Sequence, residues 1–196
     1  MPPAPIKSSE IRWCDPVKVK FGFTGLTPDY AVPIIRQILD DQWPELQRPT
    51  QCVYVIRLRG KVAVAYGDIF SPVIYVGKGN AYDRLYAHAN WLSSLLVSVP
   101  NIEIEVHIAQ VSRKNNTKLY GYIEADMIKW FARDFGVVPW FNRQRERSKE
   151  DYYTYQKEAQ QELRRHLGDG SGSKFLWAIR PTHNNDQYEP YGKGHA

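Results

Sequence analysis

The sequence predicts an α+β fold: a small three-stranded antiparallel sheet flanked by helices, in the order β-β-α-β-α, with extensions at both ends. Residues 51–58 and 71–77 are dense in β-branched and aromatic side chains, and Gly60 and Gly67 punctuate the stretch between them. That is the composition of two antiparallel strands with a long, irregular connection. Residues 102–111 alternate, with Ile102, Ile104, Val106 and Ile108 on one side and Glu103, Glu105 and His107 on the other, as in a strand with one wet face. Residues 80–97 and 119–135 instead place apolar groups three and four apart, the period of amphipathic helices. The repeated βαβ units of a long parallel sheet are missing.

Taken in order, the first ten residues hold three prolines and read as a loose arm. Residues 30–43 then predict a helix with Ile34, Ile35, Ile38 and Leu39 on one side. Residues 1–50 thus form an N-terminal extension with one helix, and the core spans 51–147. The helix expected over 80–97 carries Leu85, Ala89, Leu92 and Leu96 on its apolar face. The next one has Gly136 placed for its C-terminal cap and Pro139 beyond it. Residues 148–196 make a C-terminal piece: a charged helical stretch over 148–167, a Gly/Ser linker, a short strand or docking segment over 174–180, and a poorly ordered tail.

At 196 residues, 43% hydrophobic and 13% aromatic, the chain fits one folded domain with extensions. Its net charge of +5 suits a polyanionic partner, because lysine and arginine contacts to phosphates release counterions. Cys14 and Cys52 are far apart, and Cys52 falls inside an expected strand, so neither a disulfide framework nor a zinc site is indicated. A cytoplasmic location is the default, with secretion by a route that needs no signal peptide left open. No apolar run approaches the ~20 residues that span a bilayer, and no membrane role is expected. There is no Gly-rich phosphate loop, no clustered Cys/His set and no nucleophile elbow. His107, His166, His183 and His195 are scattered and read as surface or tail residues.

Chemistry concentrates in the core. Arg84 and His88 are four residues apart and share one helix face, where they can converge on a phosphate; an exposed pair is the bland alternative. Glu124 precedes Ile128, Phe131 and Phe135 on a related face, and a carboxylate beside such a stripe needs a cation or strong donors. Tyrosines on strands are usually packing residues, and an asparagine in the turn after a helix is unremarkable.

An ordered series runs through these positions. Cys52-Val53-Tyr54 in the first strand and Tyr75-Val76-Gly77 in the second are followed by Lys78-Gly79, Arg84 and His88, then Glu124, then Gly136, Pro139 and Asn142. Over residues 51–147 this series resembles the GIY-YIG nucleases. Cys52 stands where that family usually has glycine, and the 20 residues between Tyr54 and Tyr75 are similar in length to the hairpin of its restriction-enzyme members.

The resemblance implies a metal-dependent endonuclease acting on DNA, with Tyr54, Tyr75, Arg84, His88, Glu124 and Asn142 as its site and one Mg²⁺ or Mn²⁺ on Glu124. Tyr54 takes the family's role of base and Asn142 steadies the site. Tyr54 has a reference pKa of ~10 and needs a partner, for which His88 is suited; which of the two is the base stays open. Lys78, beside the second motif, is expected at phosphate or polarising Tyr54, with an exposed lysine the alternative; the basic Arg143, Arg145 and Arg147 are expected at substrate, with a solvated helix face the alternative. The expected partner is nucleic acid, foremost double-stranded DNA, in a restriction or defence role, with homodimerisation one route to double-strand cleavage. Two alternatives stand beside it: a delivered toxin nuclease with an immunity protein, and a non-cleaving nucleic-acid-binding module.

Overall fold

A computed structural model describes residues 3–20, 27–43, 48–99, 102–142, 153–168 and 175–180. Its described residues form a mixed α+β fold of four helices and eight strands in two sheets.

The three expected strands are present as β3 (Cys52–Arg59), β6 (Val73–Gly79) and β7 (Glu103–Val111). β3 lies between the other two and is antiparallel to both. Flanked on both sides, it is buried from Cys52 to Ile56, which is why it reads as a continuous apolar run. β7 keeps its alternation, with Ile104, Val106 and Ile108 buried.

The sheet is larger than the expected three strands. β1 (Ile11–Trp13) and β2 (Val17–Lys20) both pair antiparallel with the far side of β7, making five strands. Val17 and Val19 alternate with Lys18 and Lys20 as buried and exposed positions, a period-two signal only four residues long. These strands cover an otherwise bare edge of β7. The expected loose arm is also held: Ile6 is fully buried and bridges Tyr155, with Ile6 N–H donating to Thr154 O at 2.8 Å and Gln156 N–H donating to Ile6 O at 2.8 Å.

The connection between β3 and β6 is itself ordered. β4 (Val62–Tyr66) and β5 (Ile69–Ser71) form a hairpin, and β8 (Trp177–Ile179) adds to β4 in parallel, giving a second sheet of three strands. The hairpin turn holds Gly67 at φ 63°, in the left-handed region, which glycine enters without steric strain.

α1 (Pro28–Gln42) buries Ala31, Ile35 and Leu39 and leaves Ile34 exposed, contrary to the expected face. It packs against α2 (Ala81–Ser98), with the Arg36 and Arg48 guanidinium groups over the Tyr86 and Tyr82 rings at 4.4 and 3.5 Å. α3 (Leu119–Phe135) has the expected span and ends on Gly136 at φ 78°. Ile123, Met127 and Phe131, all fully buried, each contribute roughly 1.5–3 kcal/mol by leaving water, fixing α3 against the main sheet.

α4 (Lys157–Arg165) is shorter than expected at its start. Tyr155 is extended because its backbone pairs with Ile6 and its phenol donates to Asp126 Oδ2 at 2.5 Å. Residues 148–152, the Gly/Ser run from 169 and the tail lie outside the described residues. His107 and His166 are not scattered surface residues: their Nδ1 atoms are 3.1 Å apart, Glu105 Oε2 is 3.0 Å from His107 Nε2, and the Trp13 ring stacks on His166 at 3.5 Å. No helix among the described residues is long and apolar enough to cross a membrane.

Candidate functional site

Pairing register explains how Tyr54 and Tyr75 meet. Tyr54 lies opposite Gly77, and Ile56 opposite Tyr75. Side chains two residues apart share a strand face, so the two tyrosines are diagonal neighbours across β3 and β6. Their ring centroids are 5.9 Å apart. Gly77 makes room for this: an alanine Cβ there would come within 2.5 Å of both Tyr54 Cζ and its hydroxyl, and within 2.6 Å of Tyr75 Cε1. The sequence carries a hint of that role, since a glycine inside a strand marks a close approach.

α2 begins where β6 ends. Asn80 caps it, with Oδ1 accepting from Asp83 N–H at 3.4 Å, and Gly79 turns the chain at φ 115°. The helical turn then presents Arg84 and His88 on one face. His88 Nε2 is 3.0 Å from the Tyr54 hydroxyl, and its ring meets Tyr75 edge-to-face at 4.9 Å. Arg84 is exposed, and its charge acts on both Tyr54 and His88.

Burial decides the protonation states. Tyr54 is fully buried; burial above all, then Tyr75, holds its phenol well above the usual tyrosine range, against a lowering pull from Arg84. Burial also pushes His88 down to about 4, with Arg84 assisting. At neutral pH both groups are therefore uncharged. In the tautomer with a bare Nε2, the phenol donates to the imidazole. Burial thus raises Tyr54 rather than lowering it, so an unaided phenolate is not the resting state.

Glu124 sits one turn into α3 and is 5% exposed. Lys78 Nζ lies 2.8 Å from its Oε2, so the cation this carboxylate needed is met by protein. Glu124 also bears on Tyr54 electrostatically, which places it in the same field. Among the described residues no three or more His, Cys, Asp and Glu side chains gather in a metal-holding group.

Asn142 bonds the middle of the second motif. Its Oδ1 accepts from Val76 N–H at 2.9 Å, and its Nδ2 donates to Val76 O at 2.7 Å, while Phe141 N–H donates to Ile74 O at 2.9 Å. β6 is the outer strand of the sheet, and this segment substitutes for a further strand on its open side.

No family model, curated protein or solved structure matches the chain.

The structure therefore brings Tyr54, Tyr75, Arg84 and His88 into one cluster, sets Lys78 and Glu124 beside it, and uses Asn142 to hold the strand between Tyr75 and Gly77. Arg143, Arg145 and Arg147 lie outside the described residues. Two neighbours were not expected: the Trp91 ring is 5.5 Å from His88 and 6.2 Å from Tyr75, and it stacks on Phe141 at 4.2 Å. Trp91 follows His88 by three residues on α2, so helical spacing offered a signal; the Phe141 contact is tertiary. Cys52 is inert: burial pushes its thiol up to about 12, and its Sγ is 3.3 Å from Thr50 O. A separate cavity of about 580 Å³ is lined by Lys7, Glu10, Arg113, Lys118 and Tyr153 among others and by none of the site residues.

Proposed function

We propose that the chain is a metal-dependent endonuclease of the GIY-YIG type that hydrolyses phosphodiester bonds of DNA in a restriction or defence role. The observation that carries this reading is the Tyr54–His88 contact at 3.0 Å, made beside Tyr75 and under the charge of Arg84 and Glu124. Any buried tyrosine hydroxyl needs a hydrogen-bond partner, but a half-buried, neutral imidazole gives this one an acceptor that can also take up a proton.

Hydrolysis requires a deprotonated water, compensation of phosphoryl charge and help for the departing 3′ oxygen. Here Tyr54, fully buried in the free chain and so reached by water only when substrate opens the site, takes a proton from the attacking water as it passes its own to His88 Nε2, so no free phenolate forms. Arg84 binds the non-bridging oxygens with its planar donors. Phosphate beside Arg84 also offsets the charge that helps depress His88, which raises the affinity of the imidazole for the relayed proton. Tyr75 orients the water or phosphate, and Asn142 acts as a positioning residue through Val76.

Glu124 fits the demand for a metal ligand: it is a buried carboxylate already placed where a positive charge is accepted, and Mg²⁺ commonly binds through one or two carboxylates with water completing its shell. A Mg²⁺ or Mn²⁺ held there supplies charge stabilisation to the phosphate and leaving oxygen. One such centre cuts one strand, so cleavage of both strands takes a homodimer or two successive nicks.

The Lys78–Glu124 ion pair favours one rival, a non-cleaving nucleic-acid-binding module whose carboxylate is already neutralised. Supercoiled plasmid incubated with Mg²⁺ or with EDTA separates the two. The nuclease reading expects metal-dependent nicking or linearisation that Glu124→Gln abolishes while DNA binding persists; plasmid left intact by pure, folded protein defeats it.

A further inference from the structure

Lys78 and Glu124 do not form an ordinary surface pair. The carboxylate side chain is 7% exposed and the lysine side chain 30%, so the anion is fixed in the interior while the cation keeps contact with water. The lysine stem lies beside Gly121, where even an added Cβ would stay 3.7 Å from Lys78 Cδ. That distance is ordinary contact, so Gly121 itself puts no side chain against the stem, whereas any larger residue would pack on it. A buried carboxylate needs positive charge nearby, but an ammonium on Glu124 Oε2 and a metal ion on the same carboxylate lie close enough to repel strongly.

We infer that Lys78 is a built-in competitor for the divalent cation: it neutralises Glu124 in the metal-free chain, gives way when a metal ion binds, and turns its ammonium to the nucleic-acid backbone. This rests on the nuclease reading above. Metal binding to the free protein is weakened by the lysine that must leave. A phosphate that receives the displaced ammonium removes that penalty, so metal and nucleic acid tighten each other's binding, as linkage requires. The expected phosphate contact of Lys78 and its observed place on Glu124 are then two positions of one side chain.

The test is a Mn²⁺ titration followed by electron paramagnetic resonance on the wild type, Lys78→Met and Glu124→Gln. Removing the competing charge should tighten Mn²⁺ binding about tenfold or more, the scale of one modest ionic contact, and Glu124→Gln should lose the site. In the wild type, acylation of Lys78 read by mass spectrometry should rise severalfold when Mn²⁺ is added, a measurement that needs no variant. Binding lost in Glu124→Gln but not tightened in Lys78→Met overturns the competitor while leaving the nuclease reading in place. Unchanged acylation of Lys78 in Mn²⁺-loaded wild type does the same. Equal Mn²⁺ binding by wild type and Glu124→Gln removes the metal assignment, and the competitor with it.

Discussion

Replacing Gly77 by alanine inserts a methyl group where the Tyr54 ring already lies. The new Cβ would stand 2.5 Å from Tyr54 Cζ and hydroxyl and 2.6 Å from Tyr75 Cε1, whereas ordinary contact begins near 3.4 Å. Relief requires one partner to move by about 0.9 Å. Tyr54 is fully buried and cannot swing into solvent, so the strain falls on its contact with His88, now 3.0 Å. A shift of that size away from His88 takes the pair beyond hydrogen-bonding distance. Overpacking of this kind costs about 1–3 kcal/mol of stability, and a misplacement near 1 Å at a reacting group lowers the rate about a hundredfold. Urea unfolding and plasmid nicking measure the two effects. In a Tyr54→Leu background the stability cost of Gly77→Ala should fall but not vanish, because one obstructing ring is gone while Tyr75 Cε1 still stands 2.6 Å from the new Cβ. A Gly77→Ala protein as stable and as fast as wild type would refute the reasoning, and so would a cost that is the same in both backgrounds.

Asn142→Ala removes both bonds to the Val76 backbone. It should destabilise by about 1–3 kcal/mol and slow cleavage, seen by melting and nicking together; a rate fall without any loss of stability would give Asn142 a direct chemical role instead. His88 is held down to about 4, so the acid limb of kcat/KM, which reports the free enzyme, should fall near pH 4 rather than 6.5. Arg84 helps lower His88, so Arg84→Met should move that limb upward, and a limb that stays in place argues against His88 as proton acceptor. His166 is down to about 3, mainly through burial and then through His107. The unfolded chain therefore takes up this proton first as pH falls, and stability present above about 6.5 should be lost progressively toward pH 3. His166→Phe, which can keep the stack on Trp13, should flatten that loss in urea titrations at successive pH values.

Legibility in the sequence followed the length and regularity of the pattern. Six residues of alternation in β7, Glu103 to Ile108, and seventeen of helical spacing in α3 were readable because each buries one repeated face. β1 and β2 are three and four residues long, too short for a period to rise above composition, and they are strands because β7 has a free side. Ile6 and Tyr155 are distant in sequence and meet only in the fold. At the candidate site, Arg84 and His88 follow from helical spacing, whereas the opposition of Tyr54 and Gly77 depends on strand register across a hairpin whose connection is itself folded. The direction of the Tyr54 and His88 shifts was likewise hidden, since it comes from burial, which no local motif encodes.

The position of β7 also orders events during synthesis. β1, β2 and β3 all hydrogen-bond to it, yet it is translated some ninety residues after β1, counting Ile11 to Glu103. At about 5–20 residues per second a ribosome needs roughly 5–18 s to cover that interval. Throughout that time β1 and β2, and from about halfway β3 as well, lack the strand that all three pair with. The arm at the start of the chain must then return to a strand made late, a long-range closure of the kind that slows folding. Nascent chains stalled before residue 111 should accordingly bind hold-type chaperones, and release should coincide with emergence of that single strand.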